Sequence, residues 1–181
     1  MNNKRERGLE MKLQVFLEED IYSPREWIAT RITDKAGQER KGDVEIRRGN
    51  GIMLVDEKAY AKPWDGCLVE LIQDMLTGDL GWFYKLTEAT HLICGYYDGD
   101  GDAPKIVYII DWKRLRRQCI AWWREKKEEY RRLMFSDGGW GVTAFIVIPW
   151  EILLRENMAY VLWPKRELEG GELCTGSAMT V

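Results

Sequence analysis

Histidine is almost missing from this chain: there is one in 181 residues. A Ser-His or Cys-His nucleophile system, or a metal site built on imidazoles, therefore has a single ring to draw on. Cysteine is scarce too. Cys67, Cys94, Cys119 and Cys174 are scattered, and no two form a CxxC pair. The N-terminal MNNKRERGLEMK carries charge but no apolar core, unlike a secretory signal. Together these point to reduced thiols and a cytoplasmic protein. No apolar run approaches the ~20 residues that a membrane span needs. The longest, Val142–Trp150, is interrupted by Thr143 and Pro149. A global basic field is absent as well: the net charge is −3, so any nucleic-acid contact has to come from a local patch.

What is present fits one globular domain, spanning residues 1–164, with a peripheral tail over 165–181. A chain of this length buries a core without staples, and its hydrophobic content of 45% is enough to supply one. Nine tryptophans read as packing residues, since their spacing makes no stacking platform.

Residues 5–19 are predicted helical, because Leu9, Leu13, Phe16 and Leu17 follow the i, i+4, i+7, i+8 pattern of one buried stripe. Glu10 borders that stripe, and Glu6 is a second carboxylate on the same side. Ser23-Pro24 ends the helix. A strand is expected over 26–33, and a polar loop over 34–42. A helix is predicted over 67–77, with Leu68, Leu71, Ile72, Met75 and Leu76 as its stripe and Glu70 and Gln73 off its centre. The aromatic run Trp82-Phe83-Tyr84 marks an exit loop. Strands over 90–97 and 105–111 flank DGDGDAP, which reads as a tight turn. It fails as an EF-hand because Ala103 and Ile109 stand where Gly and Glu are needed. Residues 112–135 are expected to form one long helix. From Lys113 to Arg132 it carries nine Lys/Arg and three Glu, a net +6, which is either a solvated face or a phosphate-contacting patch. A strand at 142–148, a short helix at 150–157 and a strand at 159–163 follow. The expected fold class is α/β, a mixed central sheet flanked by helices.

The stretch with the clearest chemical character is GDVEIRRGNGIMLVDEKAY, Gly42–Tyr60. Gly49-Asn50-Gly51 between β-formers predicts a hairpin, with strands Asp43–Arg48 and Ile52–Tyr60. Alternation puts Ile52, Leu54, Asp56 and Lys58 on one face, with Asp43 across the pair. Two carboxylates on neighbouring strands suit a hard divalent cation, with the Glu57 carbonyl as a further oxygen ligand. Lys58 on the same face is placed to hold or activate a water. A surface salt-bridge cluster has the same spacing, and both readings stay open at this point.

The sequence resembles the PD-(D/E)xK nuclease superfamily, the restriction-endonuclease-like proteins. The resemblance rests on KGD at 41–43 and VDEKAY at 55–60. It extends through LEMKLQVFL (9–17), LVELIQDM (68–75), GWFYKL (81–86), THLICGYY (90–97) and IVYIIDWKRLR (106–116), and covers roughly residues 5 to 150. Small phage- or mobile-element-associated members are the nearest in character. One departure is Gly42, where the family's proline stands before the first aspartate. A second is Glu57, which puts an acid on the opposite face directly after Asp56.

The resemblance implies a metal-dependent DNA nuclease that hydrolyses phosphodiester bonds by in-line attack of a metal-activated water. Asp43, Asp56, the Glu57 carbonyl and Glu10 would hold Mg²⁺ or Mn²⁺, and Lys58 would orient or activate the water. Glu70 or Gln73 would lie near the site, and the basic helix would meet the DNA backbone. A homodimer would suit a double-strand cutter. The alternative is a catalytically inactive module of the same fold, acting as a protein- or DNA-binding adaptor or inhibitor.

Overall fold

The stripe at the N-terminus does what its spacing predicts. In a computed structural model of the chain, helix α1 runs Asn2–Phe16 and continues through a π-helical turn, Leu17–Tyr22, and a 3-10 turn, Ser23–Arg25. Leu9, Leu13, Phe16 and Leu17 are all buried. The structure describes residues 2–99, 101–125, 132–137 and 142–164, apart from the side chains of 2–6, 132, 136 and 137.

The chain is mixed α/β, and among the described residues its strands form two sheets. Strand β1 (Ile28–Arg31), helix α2 (Lys35–Lys41), β2 (Val44–Arg48) and β3 (Gly51–Tyr60) come first. Then follow β4 (Gly66–Asp74), β5 (Asp79–Leu80), α3 (Trp82–Lys85), β6 (His91–Tyr96), β7 (Ile106–Asp111) and α4 (Trp112–Arg124). Strands β8 (Arg132–Asp137) and β9 (Val142–Pro149), helix α5 (Trp150–Arg155) and β10 (Ala159–Trp163) complete the described residues. The first sheet has the order β1-β2-β3-β6-β7-β10 and the second β5-β4-β9-β8. The first is mixed: β3 and β6 run parallel, and the other pairs are antiparallel. A parallel pair needs a crossover, and residues 61–90 supply it, carrying β4, β5 and α3 on the way.

The central sheet separates two cores. On one face α1 packs Leu9, Leu13 and Phe16 against Val44, Val55, Ile93 and Ile109. On the other, Leu92, Cys94, Tyr96 and Ile110 meet Val69 and Ile146 of the second sheet and Leu115 and Trp122 of α4. At Gly95 the helix approaches so closely that a Cβ would run into the Leu13 side chain.

Four expected elements differ. Residues 34–42 are not a loop: the Asp34 carboxylate accepts from Gly37 N–H at 2.6 Å and caps α2, whose largely exposed residues left no apolar stripe to read. Residues 67–77 are not a helix. Cys67, Val69 and Leu71 alternate as buried residues on β4, which pairs with β9. The i, i+3, i+4 spacing of Leu68, Leu71 and Ile72 is coincidental, and tertiary pairing overrides it. Trp82–Lys85 is a short helix rather than a loop. The long helix over 112–135 ends at Arg124, with Asp111 as its N-cap, and β8 occupies the last part of that range. Lys126–Arg131 lie outside the described residues, as do the tail over 165–181 and Cys174.

Leu13→Ala would open a cavity under α1, and Gly95 cannot fill it because it has no side chain. It is expected to cost about 2–5 kcal/mol, read as a lowered urea midpoint at unchanged m-value.

Candidate active site

The site forms where two hairpin strands part. The β2–β3 ladder ends at Val44↔Val55. Just before it, Gly42 takes φ +92°. A Cβ there would lie 2.6 Å from Val55 O and 2.7 Å from Asp56 N, so the backbone passes directly over β3 at these two residues. Proline is locked near φ −65° and cannot take this conformation, which explains why glycine stands before Asp43. Asp43 follows at once. Its N–H donates to Val55 O at 2.8 Å. Its Oδ2 accepts from the Glu57 N–H at 2.8 Å, the amide between Asp56 and Lys58.

Asp56 and Lys58 share the face of β3 that looks toward the second sheet, opposite Leu92 and Cys94 of β6. Asp56 is only 4% exposed. Lys58 Nζ lies 2.7 Å from its Oδ2, and the lysine side chain keeps 27% exposure. The approach is outside hydrogen-bond angles, so Asp56 Oδ2 has a compensating charge but no directed donor. Burial pushes the Asp56 carboxyl up to about 6, with the Lys58 charge opposing and the Asp43 charge adding to the rise. Burial draws Lys58 down, but the charges of Asp56, Asp43 and Glu10 outweigh it and hold the ammonium above the ordinary lysine range. At neutral pH the pair is ionic, and Lys58 is a donor rather than a base. Trp82 of α3 covers it, with the ammonium 5.6 Å from the ring centroid, a cation–π contact.

Glu10 is exposed on α1, and its charge reaches Lys58. The Glu6 side chain lies outside those described. Glu57 belongs elsewhere: its side chain is on the α1 side of the sheet, where Tyr22 Oη donates to Oε1 at 2.7 Å and Arg31 Nη1 donates to Oε2. Its carboxylate is thus withdrawn from the Asp56 face, as strand alternation requires. Glu70 is on β4, not on a helix. Burial raises its carboxyl, opposed by the Trp82 N–H and by Lys58, so it belongs to the surroundings of Lys58. Gln73, also on β4, accepts from Lys85 Nζ at 2.9 Å and is engaged there rather than with Lys58. His91 sits at the start of β6 with Nδ1 2.9 Å from Thr90 Oγ1. Sequence reasoning missed Tyr22, Arg31 and Trp82. The first two had no signal, since their contact with β3 spans dozens of residues.

Among the described residues no three His, Cys, Asp or Glu side chains are grouped to hold a metal unaided. Asp43 and Asp56 provide two carboxylates, one with an oxygen lacking a directed donor. That donor set suits Mg²⁺, which takes one or two carboxylates and fills its other positions with water and substrate oxygens.

Comparison with protein-family models, with curated proteins and with solved structures finds no match. What the structure defines is therefore a class, a mixed α/β protein with a carboxylate–lysine site at a hairpin edge. No described helix is long and apolar enough to cross a membrane.

In ¹³C NMR the Asp56 carboxyl should titrate near pH 6 without metal. In Lys58→Met it should titrate higher, because burial then acts without the ammonium. The folded value exceeds the ordinary one of about 4. The stabilisation tied to the protonated carboxyl is thus complete in acid and lost as pH rises through about 6.

Proposed function

We propose that this protein is a metal-dependent DNA nuclease of the PD-(D/E)xK type, with the restriction-endonuclease-like arrangement that its sequence resembles. The observation that carries the reading is the meeting of Asp43, Asp56 and Lys58 at one strand edge, although Asp43 belongs to the other arm of the hairpin. Glu10's helix packs on the far face of the same strand and adds its charge to Lys58.

Asp43 and Asp56 would hold the cation, Mg²⁺ or Mn²⁺, and Glu10 would support it from α1. A divalent ion bound there supplies Lewis-acid polarisation of the phosphate and lowers the pKa of water. The Lys58 ammonium, kept charged by its neighbours, holds the attacking water by donation and offsets charge that develops on the phosphate. Burial beside the second sheet strengthens these interactions by lowering the local dielectric. The exposed Lys113, Arg114, Arg117 and Arg124 of α4 supply positive charge for the DNA backbone.

A second reading has one observation in its favour: Asp56 and Lys58 already satisfy each other's charge at 2.7 Å. That suits an inactive adaptor or inhibitor of the same fold.

Cleavage of linear, nicked, branched and single-stranded DNA separates the two. Mg²⁺ should permit cutting of at least one substrate, EDTA should abolish it, and Lys58→Ala should lower the rate by about 10²-fold or more. Equal rates for wild type and Lys58→Ala would remove the lysine from the chemistry. No cutting and no Mg²⁺ binding by wild type would leave the adaptor reading. In DNA binding, replacing Lys113 and Arg117 with Gln should flatten the log-affinity against log-salt slope by about 0.9 for each phosphate that is no longer neutralised.

A further inference from the structure

Glu57 puts no side chain on the site face, yet its carboxylate is buried and firmly held. The residue is 6% exposed. Its face of β3 is otherwise apolar around it, with Val55 two residues before, Ala59 two residues after and Ile93 alongside on β6. A valine or isoleucine would pack there without the several kcal/mol that burying a carboxylate costs. This carboxylate is instead clamped from two separate elements. Tyr22 Oη, from the turn after α1, donates to Oε1 at 2.7 Å, and Arg31 Nη1, from β1, donates to Oε2. Arg31 is itself tied through Nε to Glu18 Oε1 at 2.9 Å.

The clamp stands where the sheet gives least support. Past Val55, β3 no longer has β2 as a ladder partner and, among the described residues, keeps only β6. On the open side, the main-chain N–H of Glu57 is taken by the Asp43 carboxylate. Residue 57 is therefore held at the back by its side chain and joined at the front, through its amide, to Asp43. Asp56 and Lys58 are its immediate neighbours.

We infer that Glu57, clamped by Tyr22 and Arg31, is a positioning residue that sets where Asp43 stands relative to Asp56 and Lys58. The inference rests on the nuclease reading for its consequence, though not for its geometry. Movement of residue 57 carries all three site side chains with it, because one is bonded to its amide and the other two adjoin it. Groups that orient metal-binding side chains typically change metal affinity by about 10–100-fold when removed.

Two variants test it. Tyr22→Phe removes one donor and changes no charge. The double variant Glu57→Leu/Arg31→Met removes the buried pair while keeping apolar volume, a replacement that buried ion pairs often tolerate without loss of stability. Both should bind Mg²⁺ more weakly by calorimetry, the double variant by about tenfold or more. Both should cut DNA with lower kcat at unchanged KM. Wild-type Mg²⁺ affinity and kcat in both would reduce Glu57 to a structural ion pair. If the double variant does not fold, Tyr22→Phe decides by the same readouts.

Failure of the nuclease reading is distinguishable. Wild type that binds no Mg²⁺ and cuts no DNA would overturn that reading alone. Positioning is then decided by the Glu57 amide proton, which its hydrogen bond to the Asp43 carboxylate holds against exchange with solvent. Tyr22→Phe should speed hydrogen exchange of that amide relative to wild type, and an unchanged exchange rate would overturn the clamp.

Discussion

Residue 42 carries no side chain because there is no room for one. The backbone crosses β3 at Val55 and Asp56 so closely that a Cβ would overlap Val55 O, and it does so at a positive φ. That crossing ends the β2–β3 ladder and puts Asp43 against the Glu57 amide. It also leaves one side of β3 without a strand neighbour among the described residues just where Asp56 and Lys58 project. The rest of the site follows from this opening. Asp43 satisfies the amide that β2 would otherwise have paired, and α1 is free to bring Glu10's charge to the same edge.

The two faces of β3 at this point use charge in opposite ways. On the α1 side Glu57 is fully paired, with two donors on its two oxygens. On the other side Asp56 has a compensating ammonium but an oxygen with no directed donor. A buried polar atom without a directed partner costs free energy that a purely structural pair would avoid. Burial matters here: Asp56 is 4% exposed, whereas a solvated surface ion pair would be worth little.

Parts of this were legible in the residues. Gly49-Asn50-Gly51 marked the hairpin, and alternation put Asp56 with Lys58 and Glu57 opposite them, as found. The α1 stripe was plain from Leu9, Leu13, Phe16 and Leu17. The second sheet was not, since CLVELIQD satisfies a helical and an alternating pattern at once, and only pairing with β9 selects between them. Helix α2 was hidden because its exposed residues form no apolar stripe, and its cap, Asp34, resembles any loop aspartate.

By itself, the sequence determined what short-range geometry can dictate: where strands turn, which side chains share a face, and that Gly42 allows a backbone proline would forbid. Only the tertiary structure decided which of those side chains meet. Asp43 joins residue 57 because two strands diverge. Lys58 stays charged because three acids, from α1 and both arms of the hairpin, surround it. Glu57 is held by Tyr22 and Arg31 from elements folded in from far along the chain. Such contacts depend on packing between distant segments, and local periodicity carries no record of them.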